Sequence, residues 1–233
     1  MAQFDRALAA EFAGTAALMA GLVAVSALAP SIAPDRPATQ LLVVSTATGF
    51  LLVALMQWSK TFGGGFLNPI VSFAVEVHER PRYEWMPAAA LFLLVQFAGG
   101  ICGAWLADAA LASAGVPVAT PNPPISGNLT EAVAGGSIAL VAYLAPVRKR
   151  IVLLSAFSGL LYWFTDSVGF GNPAVTISRA VATVAFGLDG TAAAVRALAQ
   201  VVGALVMITL LAVVFRDKGP APTGEEAGRT RSR

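Results

Sequence analysis

Charge is what this sequence has least of. Only 12% of its 233 residues are charged, while 57% are apolar and the mean hydropathy is +0.73. Such a composition excludes both an ordinary soluble domain and a disordered chain. One cysteine, Cys102, excludes an internal disulfide and a cysteine-based metal cluster, and in its apolar run it reads as a small packed thiol. One histidine, His78, leaves no material for a histidine-rich metal site or a serine–histidine–aspartate triad with a spare base. The net charge of +2, scattered over loops, offers no face to nucleic acid. No catalytic pair stands out, so the residues predict neither an enzyme nor a cofactor site.

What is abundant is apolar chain in long runs. A bilayer span needs roughly 20 such residues, and six runs are read as spans: Phe4–Ala29, Thr39–Trp58, Glu84–Ala112, Leu129–Pro146, Ile151–Thr165 and Ala193–Phe215. Pro30 directly after Ala27-Leu28-Ala29 argues against leader cleavage there, so the first run is read as a retained helix. A Pro- and Gly-rich loop over 113–128 separates two halves, about 1–112 and 129–215, and the polar tail 216–233 reads as disordered. With the N-terminus inside, the inner side holds Arg6, Lys60, Arg80, Arg82, Arg148, Lys149, Arg150, Arg216, Lys218, Arg229, Arg231 and Arg233. The outer side holds only Arg36, Arg179 and Arg196. That asymmetry predicts both termini in the cytoplasm.

The halves repeat each other. Adding 104 to positions in GGGFLNPIVSFA, which starts at Gly63, lands on GFGNPAVTIS, which starts at Gly169. Phe66 falls on Phe170, Asn68 on Asn172, Pro69 on Pro173, Ser72 on Thr176, Gln96 on Gln200 and Gly99 on Gly203. A register held that long reads as an internal repeat. In each copy Asn can cap a short apolar helix and Pro suits its first turn. These segments are too short to cross a bilayer, so each is a half-span re-entering from the side it left. Three spans and a half-span per half invert the second half relative to the first, an all-α 3+3 inverted repeat.

Two half-helices facing each other aim their free N–H ends and partial positive charge at the bilayer centre. Asn68 and Asn172 can add side-chain donors there. A cation meets a barrier at such a point, and a neutral hydroxylated solute finds hydrogen bonds. Glu11 and Glu131, carboxylates inside apolar runs near the start of each half, read as acceptors for the irregular backbone before each half-helix. Gln96 and Gln200, with their following glycines, read as helix-packing positions. Glu76, His78 and Glu79 read as interfacial, and Asp108 and Asp166 as solvated. A secondary transporter is the rival from another class, but it would need coupling-ion ligands at the midplane.

AEFAGT around Glu11, the paired Asn-Pro boxes, the Gln96 and Gln200 segments and six spans resemble the major intrinsic protein family, the aquaporins and aquaglyceroporins. The resemblance implies a homotetramer in a lipid bilayer, with a pore for small neutral solutes in each subunit. The boxes would be Asn68-Pro69-Ile70 and Asn172-Pro173-Ala174, the first departing from the family's Asn-Pro-Ala. The family's arginine directly after the second box is here Val175, which removes a fixed guanidinium from the outer filter. The other filter positions implied are Thr48, Phe170, and Leu161 or Tyr162. Arg179, one helical turn beyond Val175, would keep a positive charge in the outer vestibule. A wide filter without arginine resembles bacterial aquaglyceroporins associated with arsenic resistance. The expectation is a passive channel for glycerol-like polyols and arsenous acid, with a strict water channel as the alternative.

Overall fold

A computed structural model describes residues 2–79, 86–116, 127–165, 167, 169–183 and 188–215. Arg80, Arg82, Asp166 and the tail from Arg216 lie outside the described residues. Eight helices are described: α1 (Ala2–Ile32), α2 (Pro37–Lys60), α3 (Pro69–Glu79), α4 (Met86–Ser113), α5 (Asn128–Leu144), α6 (Arg150–Phe164), α7 (Pro173–Ser178) and α8 (Gly190–Val214). The long ones coincide with the six expected spans and the short ones follow the two Asn-Pro boxes. Their boundaries track local chemistry. Pro37 opens α2, Asn172 accepts from the amides of Ala174 and Val175 to cap α7, and Asp189 accepts from those of Thr191 and Ala192 to cap α8.

Four helices are long and apolar enough to cross a membrane: α1, α2, the Ala89–Ser113 part of α4, and α8. At 17 and 15 residues, α5 and α6 fall short of a straight span and rise only about 22–26 Å. A bilayer can thin locally to such helices, and Arg150 and Trp163 near the two ends of α6 suit the interfaces. Outward faces are largely apolar, with Phe50, Leu94, Leu160, Phe164, Leu198 and Val206 among the exposed large side chains. In water such a surface would aggregate; in lipid it is the appropriate one.

Both halves pack by one plan. In the first half α1 lies along α4, and in the second α5 lies along α8. Glycine sets how close these pairs come. A Cβ at Gly103 would fall on the Ala16 carbonyl of α1, and one at Gly203 on the Ala132 carbonyl of α5. Such backbone-to-backbone approach is how helices associate where lipid offers no hydrophobic drive. Between the halves α2 packs on α6 and α3 touches α7. Because α1 carries Glu11 into this core, fully buried, the first run is a working part of the fold.

Candidate pore and selectivity filter

The centre of the molecule is a reciprocal pair of hydrogen bonds. Asn68 Nδ2 donates to the Gly171 carbonyl at 3.1 Å, and Asn172 Nδ2 donates to the Leu67 carbonyl at 2.8 Å. Each accepting carbonyl belongs to the residue just before the other asparagine. Both acceptors sit in the left-handed region, Leu67 at φ 50° and Gly171 at φ 72°. That conformation is costly for leucine and ordinary for glycine, and here it turns each carbonyl across the junction. The asparagine Oδ1 atoms face back into their own helices, accepting from Ile70 N at 2.9 Å and from Ala174 N at 3.1 Å. An amide nitrogen carries two N–H groups, so the crossing bond uses one and leaves one for a solute. The two half-helices differ: α3 has 11 residues and α7 only six.

The irregular backbone before α3 is held by one carboxylate. Glu11 Oε1 accepts from Gly65 N at 2.5 Å, Phe66 N at 2.9 Å and Ser59 Oγ at 3.0 Å, and Oε2 accepts from Leu67 N at 2.8 Å. Gln96 Nε2 then bridges Glu11 Oε2 at 2.6 Å to Ser72 Oγ at 2.8 Å. The second half repeats the bridge. Gln200 Nε2 donates to Glu131 Oε2 at 2.7 Å and to Thr176 Oγ1 at 2.8 Å, and Ser167 Oγ donates to the same carboxylate oxygen at 2.6 Å. The two glutamines are thus more than packing positions: each ties a carboxylate to a half-helix. Their polarity was the signal for this, since a buried amide must find partners. Glu131 also has Arg196 Nη1 at 4.0 Å, where the repeat register of the first half offers Phe92.

On the α6–α7 side, Phe170 and Val175 are fully buried and Tyr162 nearly so. The rings of Tyr162 and Phe170 lie 5.6 Å apart. Arg179 Nη2 donates to the Tyr162 hydroxyl at 2.9 Å, and its guanidinium stands 5.9 Å from the ring centroid. Arg179 is only 9% exposed, so its charge lies against Tyr162 instead of standing in open vestibule. Both residues weighed from α6 lie in the apolar core, and Tyr162 also meets Phe170 and Arg179. Thr48 is buried in α2, its hydroxyl donating to the Val44 carbonyl at 2.7 Å, which leaves its oxygen free to accept.

Asp108 accepts from Thr183 Oγ1 at 2.7 Å at an exposed position. Arg150, expected in a basic loop, begins α6 and pairs with Glu79 at 2.7 Å. Burial of a guanidinium requires a partner, and the end of α3 provides it.

The profile described as "Major intrinsic protein" matches residues 1–160. The chain belongs to the major intrinsic protein family. The match spans α1 to α6 and includes the first Asn-Pro box, and the second box lies beyond it. Aquaglyceroporin AqpS of Rhizobium meliloti (strain 1021) is 27% identical over 227 residues, covering 94% of this chain and 95% of that protein. The probable aquaporin PIP2-8 of Oryza sativa subsp. japonica is 34% identical over 108 residues, 45% of this chain and 36% of that one. Among solved structures, the X-ray structure of the aquaglyceroporin from Plasmodium falciparum superposes with a TM-score of 0.66 over 94% of this chain and 98% of that chain, at 22% identity. At that identity it speaks to fold alone. Family and fold together make this major intrinsic protein a membrane channel with an inverted repeat and two half-helices meeting inside.

Proposed function

We propose that this protein is a passive, bidirectional channel with a wide outer filter, carrying small neutral hydroxylated solutes: glycerol-like polyols, arsenous acid and related metalloid acids, and water. The observation that carries this reading is Val175. It occupies the position directly after the second box, buried among apolar atoms, and the nearby guanidinium of Arg179 is engaged by Tyr162. A filter edged by Val175, Phe170, Tyr162 and Thr48 offers apolar wall with two hydroxyl groups. Such a lining admits the carbon backbone of a polyol better than a rigid arginine fork does. Arsenous acid is neutral near pH 7 and presents three hydroxyls in a shape similar to glycerol. The likeness to a relative named an aquaglyceroporin over 94% of the chain supports the same class.

In this reading Asn68 and Asn172 donate to the passing solute at the junction, and the positive end of α3 opposes cations. The protein is a homotetramer in a bacterial inner membrane with both termini cytoplasmic, a topology supported by the inner weighting of Lys and Arg. Net flow follows the solute gradient.

The test is stopped-flow light scattering on proteoliposomes challenged with an inward arsenous acid gradient. Shrinkage followed by reswelling, faster than in protein-free vesicles, is expected. Fast shrinkage without reswelling would make this a strict water channel, and accumulation against a gradient would make it a transporter.

A further inference from the structure

The mouth between the ends of α2 and α3 and the start of α6 carries a second selectivity element, an inference resting on the channel reading above. A cavity of about 150 Å³ opens there, lined by Gly64, Gly65, Phe66, Lys60, Glu79 and Arg150 among others. Glu11 and Ser59 hold the amides of Gly65, Phe66 and Leu67 on one side. Across a trans peptide the carbonyl points opposite to the N–H. The carbonyls of Gly64, Gly65 and Phe66 therefore face away from Glu11, and all three residues border the cavity. This is a row of acceptors leading toward Asn68.

Opposite stands Arg150. Its side chain is 11% exposed and Nη1 holds Glu79 Oε1 at 2.7 Å, while Nε is buried without a hydrogen-bond partner among the described residues. The guanidinium borders the cavity and carries further donors beyond the one held by Glu79. Glu79 cancels the charge, which disfavours retention of an anion, and clamps the fork in place. We infer that Arg150 is a specificity-determining residue of an inner filter: its guanidinium, which borders the cavity, donates to a solute hydroxyl while the carbonyls of Gly64, Gly65 and Phe66 accept from others. The class selected is neutral molecules with two or more hydroxyls. The guanidinium absent beside the second box is in effect supplied at the opposite mouth.

The experiment compares glycerol with its deoxy analogue 1,2-propanediol, similar in size but one hydroxyl short, in proteoliposomes of the wild type, Arg150→Leu and Arg150→Lys, net of protein-free vesicles. The wild type should favour glycerol. Arg150→Leu should lower the glycerol-to-propanediol ratio roughly fivefold, the scale of one hydrogen bond. Arg150→Lys keeps a cation for Glu79 but loses the planar fork, so its ratio should follow the leucine variant; it decides the matter if leucine prevents assembly. A purely structural role would change both fluxes together. Wild-type conduction with an unchanged ratio in assembled variants would overturn the inner filter and leave the channel reading standing. No conduction by the wild type would overturn both.

Discussion

At the scale of single residues, the proposed outer filter rests on Val175, Tyr162 and Arg179. Valine brings no donor to its position, and Arg179 is held by the Tyr162 hydroxyl one turn away. Val175→Arg should cut glycerol and arsenous acid permeability about tenfold or more while sparing water, because a rigid fork narrows the passage and admits only thin solutes. Unchanged polyol flux in stopped-flow measurements would reject the filter assignment. Glu11 is the residue on which the pore backbone depends most, since three consecutive amides converge on its carboxylate. Glu11→Ala leaves those buried N–H groups unpaired and should cost about 3–5 kcal/mol. The loss should appear as a lowered melting temperature in detergent, and an unaltered transition would count against the scaffold role.

At the scale of elements, the equivalence of the halves is real in packing and incomplete in detail. The crossings of α1 on α4 and α5 on α8 are both set by glycine against carbonyl. Gly203→Ala forces a methyl onto the Ala132 carbonyl, and overpacking of this kind costs about 1–3 kcal/mol. Thermal unfolding of that variant should begin several degrees lower, with glycerol-to-water selectivity preserved because no filter residue moves directly. The half-helices differ more. The 11 residues of α3 end at Glu79, where Arg150 secures them, and α7 stops after six with Arg179 as its C-cap. In the proposed channel α3 is one source of the field that opposes cations at the junction. Breaking it with Ser72→Pro should raise proton leak measured with a pH dye in vesicles, since proline removes a backbone bond within it. A leak equal to that of wild type in an assembled protein would shift the barrier to α7.

For the whole molecule, passive flow predicts solute flux that rises linearly with gradient and is equal in both directions; saturation or uphill accumulation would require a transporter. Six spans, two half-helices and the inverted plan were legible in the sequence because lipid demands long apolar runs and because Asn-Pro recurs at a fixed offset. Glu11 and Glu131 were legible as scaffold, since an intramembrane carboxylate must find donors. Position along the chain, however, carries no information on contacts between separate helices. Only the tertiary structure revealed that Gln96 and Gln200 bridge carboxylate to half-helix, and that each asparagine donates to the backbone before the other. Only it brought the Tyr162 ring to Phe170 and Arg179, and moved Arg150 from a basic loop to the start of α6, where it pairs with the half-exposed Glu79. The membrane class, the repeat and the missing arginine belong to the sequence, because they are matters of composition and register. Which polar group meets which belongs to the fold, because those partners lie up to 105 residues apart and are chosen by packing geometry.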